Sequence, residues 1–381
     1  MFGRFGGEED EHGPLPAPLN SEYLKGLNFL LNDQNDQALE HFIRLVRVDD
    51  QTIETHFALG SLFRRRGEVD RAIRVHQNIL ARPDIGKEQR EQALFALGKD
   101  YLKSGLLDRA ENLFAQLAES SSYRIESLQA LCRIYEQESE WENAVVVARQ
   151  LSSERVDGIE TRLSNYYCEL AQAALDQNDM AAAREYVRLS QAKRQRLTRG
   201  AILRGQIALG QGDHDMARRL FSRVLEQDGV YLIELLPKLA VLDEHTPGTL
   251  DAVLREVSLS RDNAREEIAR AALQWPDVRS SLLDECVKEL ILTDSVLAGF
   301  VDTHRLLATD DADIQHDVIE RIRTSLGKLA AQSPRYRCRE CGFSTRQLLW
   351  QCPGCRSWES HGPIDKVRFD TLINDDGGVN Y

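Results

Sequence analysis

The sequence predicts a mostly α-helical repeat array followed by a small, metal-held β ribbon. Three observations predict it. Between Pro83 and Pro237 there is no proline, and that stretch is full of Ala, Leu, Arg, Gln and Glu at helical spacing. Small residues recur in it at a nearly constant interval. Four of the seven cysteines fall within eighteen residues near the C-terminus as two Cys-x-x-Cys pairs. A chain of 381 residues with 42% apolar residues, 29% charged residues and a net charge of −13 is too long for one compact core and too apolar to be disordered.

The leader comes first. Residues 1–20 hold Pro14, Pro16 and Pro18 beside an acidic run, which reads as a mobile segment, and no apolar stretch approaches the ~18 residues that cross a bilayer. Residues 21–229 then carry six copies of one pattern. Its first small position falls at Gly26, Gly60, Gly98, Cys132, Ala171 and Gly205, separated by 34, 38, 34, 39 and 34 residues. A second small residue follows at Ala38, Ala72, Ala110, Ala144, Ala183 and Ala217, with Phe42, Phe114 or Phe221 soon after. This is the period of the tetratricopeptide repeat, a helical hairpin whose two helices cross where side chains must be small. Cys132 therefore reads as a packing residue, and Cys168 and Cys286 read as helix-packing thiols.

From 230 to 332 the pattern decays while helices continue. Thr246-Pro247 is expected to open a helix as N-cap and first-turn proline, and Ile314, Val318, Ile319, Ile322, Leu326 and Leu329 form the apolar stripe of a last helix. Residues 333–365 form the ribbon and 366–381 a tail. Cys338, Cys341, Cys352 and Cys355 give Cys-x2-Cys, ten residues, Cys-x2-Cys. Two such knuckles complete a tetrahedral four-thiolate site for one zinc or iron ion, closed and so structural or, with iron, redox-active. The ribbon is too small to fold without the ion.

Residues 334–358 also carry Arg335, Arg337, Arg339, Arg346 and Arg356 against Glu340, with Tyr336, Phe343, Trp350 and Trp358 among them. Three readings fit: a nucleic-acid surface, a contact for acidic lipid or an acidic partner, or a ribbon whose aromatics fill its core and whose arginines dock on acidic helices. Nucleic acid is the disfavoured class, because the ribbon's surplus of about four charges is modest. On the helical array, repeat geometry places Arg64, Arg65, Lys99, Lys103 and Arg133 on the inner face as a basic strip for an acidic or C-terminal peptide, beside the plainer reading of a solvated face. No P-loop, GxSxG or HExxH motif is present, so the chain reads as a non-enzymatic scaffold.

The run Gly60–Gln77, the segment Tyr167–Ala171, and above all Tyr336–Phe343 with Trp350–Trp358 closely resemble the lipopolysaccharide assembly protein B family, over roughly residues 20 to 365. The resemblance implies an adaptor on the cytoplasmic face of the bacterial inner membrane. Such an adaptor helps a membrane-bound AAA+ protease degrade the lipid A pathway deacetylase and restrains lipopolysaccharide synthesis with an inner-membrane regulatory protein. It carries the family's metal ligands onto Cys338, Cys341, Cys352 and Cys355, in a rubredoxin-like ribbon packed on the repeats. Lipopolysaccharide itself and a second copy of the chain are further candidate partners. The family's N-terminal membrane helix is expected to be missing here, with Met1–Arg4 resembling its basic flank. A rubredoxin-like redox protein and a nucleic-acid-binding repeat scaffold are the alternatives.

Overall fold

The computed structural model describes residues 25–26, 28–29, 32, 34–48, 53–120, 122–194, 197–293, 320–321, 323–328 and 334–364. The leader, the tail and most of the stripe from Ile314 to Leu329 lie outside them. Contacts divide the chain into two compact units, meeting at Leu151 and Ser152.

The first unit is built from helical hairpins: α1 (Asn35–Val48), α2 (Ile53–Arg65), α3 (Val69–Leu80), α4 (Lys87–Lys103), α5 (Leu107–Ser120), α6 (Arg124–Glu138) and α7 (Trp141–Ser153). The second begins with two more, α8 (Ile159–Asp176) with α9 (Met180–Lys193) and α10 (Thr198–Gly210) with α11 (His214–Gln227). Asp179 and Asp213 cap α9 and α11 by accepting backbone N–H groups of the first turn.

The repeat is a tetratricopeptide repeat, and its steric logic is visible at fixed offsets. Twelve residues after each first small position the alanine is fully enclosed in all six copies, at Ala38, Ala72, Ala110, Ala144, Ala183 and Ala217. Seven residues after it the chain turns through a left-handed conformation, at Gly67, Gly105 and Gly212, and at Ser139 and Asn178 without a glycine. Sixteen residues after it comes the side chain that the small residue admits. A Cβ on Gly26 would stand 2.5 Å from Phe42, on Gly60 2.5 Å from His76, on Gly98 2.8 Å from Phe114, and on Gly205 it would overlap the ring of Phe221. Where the first position is larger, the sixteenth is smaller: Cys132 goes with Ala148 and Ala171 with Val187, all of them buried. A larger side chain at one position is thus offset by a smaller one at the other, as close packing requires. His76 thus occupies a phenylalanine slot. Its Nδ1 lies 2.5 Å from Asp100 Oδ2, and both side chains are wholly buried.

The second unit continues through a 3₁₀ turn (Gly229–Tyr231), α12 (Leu232–His245), α13 (Thr249–Ser258), α14 (Ala264–Gln274) and α15 (Ser281–Thr293). One core runs from Ile202 on α10 to Ile291 on α15 and takes in Leu326. The expected helix start at Thr246-Pro247 is displaced. Those residues lie in the turn, Gly248 with φ +88° is the N-cap, and α13 begins at Thr249, whose Oγ1 donates to Thr246 O. The shift follows from Asp243, which accepts the Leu250 N–H and so does the capping from the preceding helix. Within α12, Pro237 has no N–H to offer Ile233 O. That carbonyl instead accepts Trp275 Nε1–H at 2.7 Å, which fixes the indole at the end of α14.

The chain ends its described course in a three-stranded antiparallel sheet, β1 (Tyr336–Cys338), β2 (Ser344–Thr345) and β3 (His361–Pro363), in the order β2-β1-β3. Tyr336 faces Thr345 on one side and Pro363 on the other.

Candidate metal centre and its docking surface

The two cysteine knuckles are near copies of each other. Gly342 N donates to Cys338 O at 3.0 Å, and Arg356 N to Cys352 O at 2.8 Å. Cys338 N donates to Phe343 O, and Cys352 N to Ser357 O. Both knuckles turn through a left-handed residue directly after the second cysteine, Gly342 at φ +79° and Arg356 at φ +64°. The turns aim the four sulfurs at one point. All lie within 4.8 Å of one another, with Cys338–Cys355 and Cys341–Cys352 each at 3.6 Å.

A Zn–S bond of about 2.3 Å in a tetrahedron places sulfurs about 3.8 Å apart, so the set fits a single tetrahedral ion of zinc or iron size. The electrostatics fit as well. Cys338 Sγ lies in hydrogen-bond contact with the Ser360 hydroxyl at 3.3 Å, and that contact, with N–H groups of Cys341 and Glu340, pulls the thiol down to about 6. Ser357 lowers Cys355 through its hydroxyl and its N–H. Cys341 accepts the Phe343 N–H, yet desolvation and the neighbouring sulfurs of Cys352, Cys355 and Cys338 push it up to about 12. Four thiolates at this spacing repel one another, and a cation among them removes the conflict. A four-sulfur shell leaves no position for water or substrate, so the ion holds the ribbon together.

The ribbon sits on the helices of its own unit through its aromatic residues. Tyr336 is fully buried and its hydroxyl donates to Glu234 Oε1 at 2.8 Å. Burial, and then that carboxylate, raise its ionisation well above the ordinary phenol range. Trp350 stacks on Tyr231 with centroids 5.9 Å apart, and the Arg199 guanidinium stands 5.2 Å from the Trp350 ring centre. Trp358 meets Tyr166 edge to face at 5.8 Å. Glu359 Oε1 accepts from Arg194 at 2.6 Å and from Asn165 Nδ2 at 2.8 Å. Of the ribbon arginines, Arg335 lies 5.4 Å over Trp275, while Arg337 bonds Ser344 and Arg339 lies against Gly362, both inside the ribbon. The aromatics therefore do the docking, rather than filling the ribbon core. The Glu359–Arg194 pair at this junction has the opposite sense to the expected docking, a ribbon glutamate on a helix-borne arginine. Phe343 stays 42% exposed. Trp350 and Trp358 are half-buried with one ring contact each to a helix tyrosine, which reduces the stacking surface open to single-stranded nucleic acid.

The rubredoxin metal binding domain model matches residues 336–363, and a tetratricopeptide repeat model matches residues 55–90. Lipopolysaccharide assembly protein B of Escherichia coli K12 is 32% identical over 367 residues, 91% of this chain and 90% of that protein. The Haemophilus influenzae protein of the same name is 30% identical over 378 residues, 95% and 94% of the two chains. The chain belongs to the lipopolysaccharide assembly protein B family. A solved structure of the C-terminal part of a TPR repeat-containing protein from Cytophaga hutchinsonii covers 64% of this chain and 98% of its own, at 13% identity and a TM-score of 0.45.

In this member of the lipopolysaccharide assembly protein B family, the residues of the expected basic strip have unequal positions. Arg65, Lys99, Lys103 and Arg133 are exposed on α2, α4 and α6. Lys99 lies 5.0 Å over the Phe95 ring, and burial of its stem, then the nearby charge of Arg64, lower its ionisation. Arg64 is turned inward: its guanidinium is 2.6 Å from Asp100 Oδ1 and also reaches Ala96 O. Asp100 is the buried partner of both Arg64 and His76. Its signal is an acid two residues after a small slot, on the packed face, where a carboxylate needs a cation and a second donor. Among the described residues no helix is long and apolar enough to cross a membrane.

Proposed function

We infer that this chain is a non-enzymatic adaptor that regulates lipopolysaccharide biosynthesis, promoting degradation of the lipid A pathway deacetylase by a membrane-bound AAA+ protease and restraining lipopolysaccharide synthesis with an inner-membrane regulatory protein. The observation that carries the reading is the 32% identity across nine-tenths of both chains with a protein named for lipopolysaccharide assembly. Its tetratricopeptide hairpins are a scaffold for protein partners. In the proposal, residues 21–229 and the degenerate helices of 230–332 present the partner surface, and Arg65, Lys99, Lys103 and Arg133 receive an acidic segment. Arg64 neutralises the buried Asp100 behind the strip and adds its positive charge beside Lys99. Cys338, Cys341, Cys352 and Cys355 bind one zinc or iron ion, which keeps the ribbon of 333–365 clamped on α8 to α12. The site of action is the cytoplasmic face of the inner membrane.

The test is the cellular half-life of the deacetylase in a strain lacking its own family member, complemented with an inner-membrane-anchored form of this protein. Shortening by the intact protein, lost with Cys338→Ser/Cys341→Ser, is the expected result. An unchanged half-life with both forms refutes the adaptor reading.

A further inference from the structure

Between the ribbon and the helices of its unit lies a cleft of about 310 Å³, remote in sequence from the basic strip and separate from the metal centre. Ile233, Pro334, Pro363 and Ile364 give it an apolar wall, and Gln274 and Arg335 also line it. Two carboxylates at its rim are already matched. Glu267 is held by Arg261 at 3.0 Å and by Asn263, and Glu266 is bound by Arg270. Arg335 is not matched. Among the described residues its guanidinium meets no carboxylate, its Nε is enclosed with no acceptor, and it rests on the Trp275 ring. Gln274 Oε1 is enclosed without a donor.

The platform is built rather than incidental. Trp275 is pinned by the Ile233 carbonyl that Pro237 leaves free, and Arg335 is anchored at both backbone groups, its N–H to Thr345 O and its C=O from Ile364 N. A half-desolvated guanidinium over an aromatic ring attracts a carboxylate, and an unpaired amide oxygen nearby attracts an N–H. One group offers both beside an apolar side chain: the last residue of a polypeptide.

The geometry points to this cleft as a receptor for the C-terminus of a partner protein. The terminal carboxylate pairs with the Arg335 Nη groups, the last backbone N–H is accepted by Gln274 once rotation of its amide turns the enclosed Oε1 into the cleft, and an apolar terminal side chain lies against Ile233, Pro334 and Ile364. This capture mode relies on a fixed positive group and a backbone acceptor. The inference is independent of the deacetylase reading, since it concerns residues of the second unit alone and is measured on purified protein.

The experiment is titration of the metal-loaded full chain with acetyl-Gly-Ala-Leu carrying a free carboxylate, followed by Trp fluorescence and calorimetry. The same peptide with an amidated C-terminus, and sodium acetate, run in parallel. The free acid is expected to saturate one site and to bind at least about tenfold tighter than the amide, the effect of losing a charge-assisted pair. Arg335→Gln should reduce free-acid binding to the level of the amide, with metal content unchanged. Equal binding of acid and amide overturns the proposal, as does full competition by acetate at equal concentration. The comparison of the two peptides on the unmodified protein holds even if Arg335→Gln disturbs the ribbon.

Discussion

Gly205→Ala is the sharpest test of the repeat's packing rule, because two effects of known sign oppose each other there. Alanine is favoured over glycine in a helix interior by about 0.8–1.0 kcal/mol, so propensity alone predicts a more stable α10. The new Cβ, however, would overlap Phe221 Cε1 and stand 2.7 and 2.9 Å from Cδ1 and Cζ. Ordinary carbon contacts are about 3.5–4.0 Å. Phe221 has no exposure, so its ring can only push into the core that α12 and α13 share. Overpacking of this kind costs about 1–3 kcal/mol, and with three overlapping atoms the upper end applies. The net expectation is a loss of about 2 kcal/mol, or roughly 30-fold more frequent opening of the α10–α11 hairpin. Phe221→Val alone leaves a void and costs about 2–4 kcal/mol. The double variant recreates the Ala171 and Val187 pairing, so it should be milder than the sum of its parts by about 2 kcal/mol. Hydrogen exchange of residues 198–227 reads the local opening directly, which suits a repeat array better than one global melting temperature. Additivity within about 0.5 kcal/mol, or greater protection in Gly205→Ala, would show that the ring does not enforce the slot.

Three further outcomes follow from the same contacts. Removing the ion with a chelator at neutral pH should expose Trp350 and Trp358, red-shifting tryptophan emission, while far-ultraviolet helicity persists because the core from α10 to α15 contains no ligand cysteine; unchanged emission would separate docking from metal binding. Arg64→Ala leaves the fully buried Asp100 with only His76, and should cost about 3 kcal/mol in urea unfolding of the first unit, the lower end for a broken buried pair since Arg64 is 16% exposed. Asp251 is subject to partial burial, which would raise its pKa, but donors from Ser280, Ser281 and Leu282 hold it below the usual carboxylate range. A depressed carboxylate contributes stability above its unfolded pKa and loses it as pH falls through the folded one, so Asp251→Asn should be destabilised by about 0.5–1 kcal/mol at pH 6, with the gap closing in urea titrations below about pH 4.

The parts of this protein that the sequence makes legible are those where the physical constraint acts at a fixed short spacing. The small slot, the alanine twelve residues on and the two cysteine knuckles are each closed by a turn or a hairpin, so their periodicity survives in one dimension. His76 escapes notice because the slot selects a flat ring of a certain volume, and the search for phenylalanine misses an imidazole that also needs Asp100. Arg64 is placed on a binding strip by position counting alone. In the structure it bonds a carboxylate 36 residues later on the next hairpin, and only the requirement that a buried carboxylate be neutralised links the two. The ribbon's docking is further out of reach. Tyr336 meets Glu234 across 102 residues, Glu359 meets Arg194 across 165, and Trp358 meets Tyr166 across a similar distance. None of these partners repeats, so periodicity holds no trace of them. What the sequence does carry is an excess of aromatics in a module too small to bury them, and that excess already implies a surface elsewhere in the chain. It is why the arginines beside them are a poor guide to the interface: a small metal-held module fixes its orientation by covering large rings, and charge then adjusts around that packing.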